Sequence, residues 1–303
     1  LLDQLPSLLA LKEGRRPFPV SAEVHLSNVC NHRCHFCEAE AYLEAHHTLL
    51  DQAVAERLVR DLAALGTRGI VWSGGGEPLM HKGIFDVLAL AHELGIANGL
   101  ITNLSILPRG RAPALVEQCA WIRVSFNGGN GDVYRTVHGA DHFDRVVANV
   151  RALTEANGAG PGRCGLSLSI VYTQRNLPSV PDLVRLGAAL GVDSVHVRPD
   201  QFEDVAWLRS EVVADTMRRA RALPEALGST LEVSTSEYME KQHLQVYPRR
   251  CYAHFFTLSV TADGNVNFCK SRFDRPESNY GNVHEASIGE IWESERVRAL
   301  EAS

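Results

Sequence analysis

The chain has 303 residues, of which 45% are hydrophobic and 22% are charged, the composition of a globular protein long enough to bury a substantial core. Its 30 basic and 36 acidic residues give a net charge of −6, and no Lys/Arg cluster with interleaved aromatic residues occurs, which argues against a nucleic-acid partner. No apolar run reaches the ~18 residues of a membrane-spanning helix, and 7 cysteines without a secretory segment predict a reducing, cytoplasmic location with no membrane partner.

Short apolar runs alternate with amphipathic segments of helical period, and the alternation recurs six times along the chain. The predicted strands are residues 23–27, 69–72, 99–102, 121–125, 166–171 and 194–197. The predicted helices are residues 51–65, 84–94, 112–119, 143–156, 179–190 and 211–223. Gly95 and Gly191 follow helix ends, where a left-handed cap favours glycine. Alternating β and α units predict a parallel sheet packed against helices, with ligands at the carboxyl ends of the strands.

The pattern changes beyond about residue 227. A further strand is predicted over residues 231–234, and residues 255–260 and 265–270 flank an Asp-Gly turn at Asp263, a strong hairpin signal. A closing helix is predicted over residues 287–300, with Trp292 buried. These elements indicate a small module that follows the α/β region.

Three thiols lie within eight residues, directly after the first predicted strand. Cys30, Cys34 and Cys37 form the sequence CNHRCHFC, and converging thiolates on one short loop are what an iron–sulfur cluster needs. Three cysteines on a cube of four irons leave one iron open to a small molecule. A zinc site that takes His32 or His35 as its fourth ligand is the alternative, and it would make the chain a binding or scaffold protein.

The C-x3-C-x2-C spacing, with Phe36 before the last cysteine, resembles the signature of the radical S-adenosylmethionine (radical SAM) enzymes. The resemblance implies a [4Fe-4S] cluster whose open iron binds S-adenosylmethionine. An external one-electron reductant of the flavodoxin or ferredoxin type would then drive its cleavage to methionine and a 5'-deoxyadenosyl radical. It also implies a partial (β/α)6 barrel over residues 23–234, after a lead-in over 1–22 and before a module over 235–303.

A glycine-rich turn, GGGEP, follows the second predicted strand. Glycine lets backbone approach a ligand closely. In this position the turn resembles the family's GGE motif, and the resemblance implies that Gly75, Gly76 and Glu77 bind the amino group of S-adenosylmethionine. The ring of Phe36 would shield the cluster from water, and the backbone beside it would meet adenine.

Polar groups at the ends of the later strands resemble the remaining cosubstrate contacts of the family. The predicted contacts are Asn103, Ser125, Asn127, Val171, Val197 and Arg198. Ser125 and Asn127 would contact the ribose or the methionine carboxylate. Ile170 or Val171 and the backbone of Val197 would lie at adenine, and Arg198 would be a carboxylate partner. Short polar residues at strand ends are also turn formers or caps, and a structural salt bridge is the alternative for Arg198.

An acidic loop follows the sixth predicted strand. Asp200, Gln201, Glu203 and Asp204 crowd this loop, and carboxylates there would hold a hydroxyl- or amine-rich substrate. A solvated surface loop is the alternative.

The other four cysteines divide into two pairs. Cys119 and Cys164 are predicted to be small core residues. Cys251 and Cys269 bracket the predicted hairpin as C-x12-G-x4-C, which resembles the start of the SPASM/twitch modules that hold auxiliary iron–sulfur clusters. Two thiols are too few to enclose a cubane, and no cysteine occurs after Cys269. Either further ligands lie beyond the recorded end, or the module has no cluster.

Two radical mechanisms follow from this choice. In the preferred one, the enzyme epimerises a carbinol carbon of a carbohydrate or aminoglycoside substrate, and Cys251 returns the hydrogen atom, as in aminoglycoside-biosynthesis members such as the neomycin epimerase. In the other, Cys251 and Cys269 hold an auxiliary cluster that accepts an electron while an alcohol becomes a ketone. A peptide substrate is a further alternative, which the short segment before Glu23 disfavours because it has no room for a leader-binding domain.

Overall fold

The computed structural model describes residues 5–158, 164–235, 252–269 and 275–302. The chain divides into two units, of which the first comprises residues 1–30, 39–100 and 248–303. The second comprises residues 31–38 and 101–247. Among the described residues, no helix combines the length and the apolar character that crossing a membrane requires.

The first unit contains a mixed sheet with a parallel centre. Its strands are β1 (Ser21–His25), β2 (Gly69–Ser73), β3 (Ala97–Thr102), β8 (Thr257–Val260), β9 (Asn265–Asn267) and β10 (Asn279–Asn282). The last two residues of β3 fall beyond the unit boundary. In the order β10-β9-β8-β1-β2-β3, strands β8, β1, β2 and β3 are parallel. The first three strands therefore confirm the predicted alternation. Strand β1 begins and ends two residues earlier than predicted, β2 ends one residue later, and β3 begins two residues earlier.

The C-terminal hairpin is confirmed and belongs to the same sheet. Strands β8 and β9 pair antiparallel, with Val260 opposite Val266, and Gly264 has a φ of +85° in the turn between them. The sequence did not indicate two features. Strand β8 lies parallel to β1, with Ser21 opposite Thr257, and β10 extends the hairpin although its sequence, NYGN, has the composition of a turn.

Helices α3 and α4 of the first unit follow the predicted periodicity. The helices of this unit are α1 (Leu5–Lys12), α2 (Glu40–Ala45), α3 (Gln52–Ala64), α4 (Ile84–Glu93), α11 (Ile288–Glu293) and α12 (Glu295–Ala302). The prediction of one closing helix over residues 287–300 is wrong, because Ser294 adopts an extended ψ of 154° and separates α11 from α12. Trp292 is buried, as predicted.

The second unit is a parallel sheet packed against helices. Its strands, in sheet order, are β4 (Cys119–Ser125), β5 (Gly165–Tyr172), β6 (Ser194–Pro199) and β7 (Glu232–Thr235). Its helices are α5 (Ala112–Gln118), α6 (Gly131–His138), α7 (Phe143–Gly158), α8 (Val180–Leu190), α9 (Val205–Leu208) and α10 (Glu211–Ala226). The side chains on one face of the sheet are buried against helices, since a Cβ on Gly187 of α8 would lie 2.9 Å from Val195 of β6.

Candidate active site

The three-cysteine loop is held by the end of helix α6 in the second unit. The backbone N–H of Arg33 donates to the carbonyl of His138 at 2.8 Å, and the N–H of His35 donates to that of Val137 at 3.2 Å. Gly139, which ends α6 with a φ of +60°, allows this approach, because a Cβ there would lie 3.2 Å from the Arg33 carbonyl. The carbonyl groups at the helix end, which lack partners within the helix, are thereby satisfied by the loop.

A network of side-chain amides fixes the same loop from β3. The Nδ2 group of Asn103 donates to Asn31 Oδ1 at 2.9 Å, and Asn31 Nδ2 donates to the Ser105 hydroxyl at 2.7 Å. Asn103 Oδ1 accepts from both the backbone N–H and the hydroxyl of Ser105, at 2.9 and 2.8 Å. Asn103, predicted from sequence as a cosubstrate contact, thus bonds to the residue that follows Cys30. Asn31 and Ser105 were missed, because no motif marks them as functional residues.

Cys34 contacts a buried histidine. Its Sγ lies 3.0 Å from His138 Nδ1, while His138 Nε2 lies 2.9 Å from the carbonyl oxygen of Phe126. Because a carbonyl only accepts, the proton of a neutral ring belongs on Nε2, which leaves Nδ1 as an acceptor facing the thiol. Burial lowers the pKa of His138 to about 4, so the ring beside Cys34 is neutral near pH 7.

The chemistry of the donor set, three thiols on one short loop, fits a four-iron cluster that keeps one iron open. Cys30, Cys34 and Cys37 are each half-buried, and the N–H of Cys37 donates to the carbonyl of Cys34 at 3.0 Å, which closes a turn between them. In the described part of the chain, no three His, Cys, Asp or Glu side chains are arranged around one metal position. Zinc needs its ligands around one point, whereas each thiolate on a cubane binds a different iron.

The glycine-rich turn of the first unit is bonded to the segment that precedes Cys30. The N–H of Gly76 donates to the Ser27 carbonyl at 3.0 Å, and the N–H of Glu77 donates to the Val29 carbonyl at 2.9 Å. A Cβ on Gly76 would lie 2.4 Å from the Val29 carbonyl oxygen. Only glycine permits this contact. The Glu77 side chain is 3% exposed, and its Oε1 accepts from the Leu79 N–H at 3.0 Å.

A buried acceptor lies beside this turn and was missed by sequence reasoning. Asn28 is 1% exposed, and its Nδ2 group donates to the Thr48 hydroxyl at 3.0 Å. Its Oδ1 accepts no hydrogen bond from the described residues, and a Cβ on Gly75 would lie 3.6 Å from it. Leaving such an atom unsatisfied costs free energy. An amine bound at the turn would satisfy it, so these residues fit the amino group of S-adenosylmethionine.

Asn127 joins the ends of β4 and β5. It has a φ of +55°, and its Oδ1 accepts from the N–H of Val171 at 2.9 Å. Its carbonyl accepts from Asn176 Nδ2, also at 2.9 Å. The side chain of Val197 is 1% exposed, whereas that of Arg198 is exposed. No observation tests these residues, Ser125 or Phe36 as cosubstrate contacts, so those roles stay predictions.

The carboxylates of the acidic loop are engaged locally. Glu203 accepts from the backbone and the side-chain amide of Gln174, at 3.0 and 3.1 Å. Asp200 accepts from the N–H of Phe202 at 3.2 Å, and Asp204 caps α9 by accepting from the N–H of Trp207 at 2.8 Å. These bonds shape the loop itself, and the substrate role predicted for Asp200, Gln201 and Glu203 stays untested.

Of the four cysteines outside the loop, three lie among the described residues. Cys119 and Cys164 are 4% and 2% exposed, which confirms them as core residues. Burial raises the pKa of the Cys164 thiol to about 12 and that of Cys119 further. Cys269 is half-buried. Cys251, the predicted hydrogen-atom donor or cluster ligand, lies outside the described residues.

With its parallel sheet and its loop of three thiols, the chain is an α/β protein with an iron–sulfur site. The chain belongs to the radical SAM superfamily, whose family model matches residues 24–186, more than half of its length. A second model, described as the SPASM iron–sulfur cluster-binding domain, matches residues 251–303.

The chain is similar to curated proteins and to solved structures. The PqqA peptide cyclase of Rhodopseudomonas palustris is 25% identical over 286 residues, which cover 91% of this chain and 74% of that protein. SuiB of Streptococcus suis bound to S-adenosylmethionine has a TM-score of 0.72 at 17% identity, covering 95% of this chain and 68% of SuiB. SuiB bound to the precursor peptide SuiA also gives 0.72, at 16% identity, covering 97% and 69%. The SuiB structures show likeness of fold.

These matches decide several predictions. The α/β class with a parallel sheet is confirmed, and a partial (β/α)6 barrel is consistent with it. The radical SAM match implies a [4Fe-4S] cluster, S-adenosylmethionine and a one-electron reductant, and the SPASM match implies auxiliary iron–sulfur clusters. The preference for an aminoglycoside epimerase with a carbohydrate substrate finds no support, because the relatives are named otherwise.

Proposed function

We propose that this radical SAM enzyme modifies a peptide. The carrying observation is the 25% identity to the PqqA peptide cyclase of Rhodopseudomonas palustris, which extends over 91% of the chain and so includes both matched domains. Similar proteins from Methylobacterium nodulans and Gluconobacter oxydans bear the same name. The peptide alternative is therefore better supported than a sugar substrate.

The proposed division of work among the residues follows the site geometry. Cys30, Cys34 and Cys37 would hold the cluster, which when bound supplies the electron that splits S-adenosylmethionine into methionine and a 5'-deoxyadenosyl radical. The backbone of Gly75 and Gly76, with the buried Asn28 acceptor, would hold the cosubstrate's amino group. The bonds that Asn103 and the backbone carbonyl of His138 make would keep the loop in place. Cys251 and Cys269 are proposed as ligands of an auxiliary cluster.

The experiment presents both substrate classes to one preparation. Anaerobically reconstituted enzyme is incubated with S-adenosylmethionine, dithionite and either a randomised peptide library or a panel of aminoglycosides. We expect the peptides to stimulate 5'-deoxyadenosine formation, and mass spectrometry of the library to find members that have lost two hydrogen atoms. Turnover that requires an aminoglycoside, with no altered peptide, would contradict the proposal. Deuterium from heavy water installed at a sugar carbon would restore the epimerase interpretation.

A further inference from the structure

One face of the β4–β7 sheet is polar and carries positive charge. Alternate residues of β4 to β6, such as Ile122, Leu168 and Val195, are fully buried on the helix-covered face. The opposite residues form a surface that we call the polar face. Its members are Trp121, Arg123, Ser125, Gly165, Ser167, Ser169, Val171, Ser194, His196, Arg198, Glu232 and Ser234. Two arginines and one histidine stand here among small hydroxyl residues.

The strand register fixes where the two arginines stand. Arg123 of β4 is opposite Ser167 of β5, which is opposite Ser194 of β6. Arg198 lies four residues beyond Ser194 on β6, which corresponds to about 13 Å along the strand. Serine side chains and His196 lie between the two arginines, and Val171 is opposite Arg198. Long guanidinium side chains can therefore reach toward each other over a floor of small residues.

Arg123 is partly buried, and none of the described carboxylates forms an ion pair with it. Its Nε atom is buried and has no hydrogen-bond partner among the described residues. Its guanidinium lies 5.4 Å from the ring centroid of Trp121, as a cation–π contact. Burial, and then the positive charge of Arg198, lower the pKa of Arg123. Two like charges with no anion between them raise the free energy of the empty site.

The other titratable groups on the face do not neutralise the pair. Burial and then Arg123 lower the pKa of His196, against a smaller opposing effect of Glu232. Glu232 is exposed on β7, and in the described part of the chain neither it nor any other carboxylate forms an ion pair with Arg123 or Arg198. An arginine fork matches a carboxylate in geometry as well as in charge.

We propose that Arg123 and Arg198 bind a carboxylate of the substrate, namely an acidic side chain of the peptide. This inference rests on the proposed function. The same chemistry would suit the carboxylate of S-adenosylmethionine, the role that sequence predicted for Arg198, and the test separates the two sources. The substrate-specificity site would then lie on the polar face rather than in the acidic loop, whose carboxylates are bonded locally.

The test compares two capped peptides that differ only in charge. N-acetyl-Gly-Glu-Gly-Glu-Gly amide and its Gln counterpart are titrated into the anaerobic holoenzyme by calorimetry. The Glu peptide is expected to bind about tenfold or more tightly, as charge-assisted hydrogen bonds imply. Arg123→Gln and Arg198→Gln should each remove this advantage and leave the affinity for the Gln peptide unchanged. Arg123→Lys keeps the charge and should retain part of it.

Controls make each outcome decisive. Arg151→Gln, at an exposed arginine of α7 in the same unit, should change nothing. Arg198 is exposed, so its variant tests the site even if Arg123→Gln fails to fold. Equal affinity for the two peptides, or a loss in the affinity for S-adenosylmethionine instead, would overturn the inference. Glutarate is a dicarboxylate probe that is not a peptide. If glutarate binds through both arginines while the peptide library yields no altered peptide, the proposed function is wrong but the carboxylate site is supported.

Discussion

Of the three glycines in the glycine-rich turn, Gly76 has the least room for a side chain. A Cβ there would lie within 2.7 Å of three backbone atoms of Ser27 and Val29, and backbone cannot rotate away as a side chain can. We expect Gly76→Ala to lower the free energy of unfolding by about 2–3 kcal/mol and to weaken S-adenosylmethionine binding. Thermal unfolding and calorimetry measure the two effects.

The control for this variant is Gly69→Ala in β2. A Cβ on Gly69 meets only the Ala97 carbonyl, at 3.7 Å, which is an ordinary contact. Its stability should change by no more than about 0.5 kcal/mol. If Gly76→Ala were as harmless as Gly69→Ala, the turn would not be held as described.

Asn28 offers a test of cosubstrate binding that is separate from folding. Replacing it by Leu removes an acceptor that the described residues leave unsatisfied, so the loss of its bond to Thr48 is partly offset. We expect the affinity for S-adenosylmethionine to fall about tenfold, with a much smaller effect on thermal unfolding. Unchanged affinity in equilibrium dialysis would remove Asn28 from the site.

Cys119 and Cys164 differ from the other cysteines in reactivity. The thiolate is the nucleophile, and burial raises the pKa of Cys164 to about 12, so its thiolate is scarce near neutral pH. Iodoacetamide at about pH 8 should modify Cys269 of the folded apoprotein and leave these two thiols intact. Peptide mass spectrometry locates the adducts, and rapid alkylation of Cys164 would contradict its burial.

At the scale of elements, the side-chain amide network of Asn103 holds the cysteine loop, and one substitution can remove this network. Asn103→Ala deletes the bonds to Asn31 and Ser105 without touching a thiol. We expect the affinity of the reconstituted site for iron to fall about tenfold, as for other residues that orient metal ligands. Iron per folded protein is the readout.

Asn157→Ala is the matched control for the network. Asn157 makes two comparable bonds, both to the backbone of Cys164, and no bond to the loop. It should destabilise the fold to a similar extent and leave the iron content of the folded fraction unchanged. An equal loss of iron in both variants would mean that general stability, not the network, controls the cluster.

The elements that the sequence predicted are those with a clear hydrophobic period. Helix α3 buries Ala55, Leu58, Val59 and Leu62 on one stripe, and β4 alternates buried and half-buried residues. Helix α1 was missed because its leucines give no stripe and several remain exposed. Helix α6 was missed because it is short and begins at Gly131; Asn130 caps it by accepting from the Val133 N–H.

At the scale of the molecule, the motifs identified the chemistry but not the substrate. Cysteine spacing and the GGE turn are local in sequence, and the family match confirms the radical SAM superfamily that they indicated. The substrate depends on side chains that register brings to one face, such as Arg123 and Arg198, 75 positions apart in the numbering. The carboxylates of the acidic loop bind neighbouring amides, which composition does not reveal, and the substrate role predicted for this loop stays a prediction.

The central claim is that Cys30, Cys34 and Cys37 carry the cluster that cleaves S-adenosylmethionine. The most direct measurement is 5'-deoxyadenosine formed under anaerobic conditions from S-adenosylmethionine and dithionite, quantified by chromatography and mass spectrometry. The reconstituted enzyme should produce it, and each single Cys→Ala variant, like the triple variant, should produce none while remaining folded. Cleavage that persists in the triple variant would contradict the account.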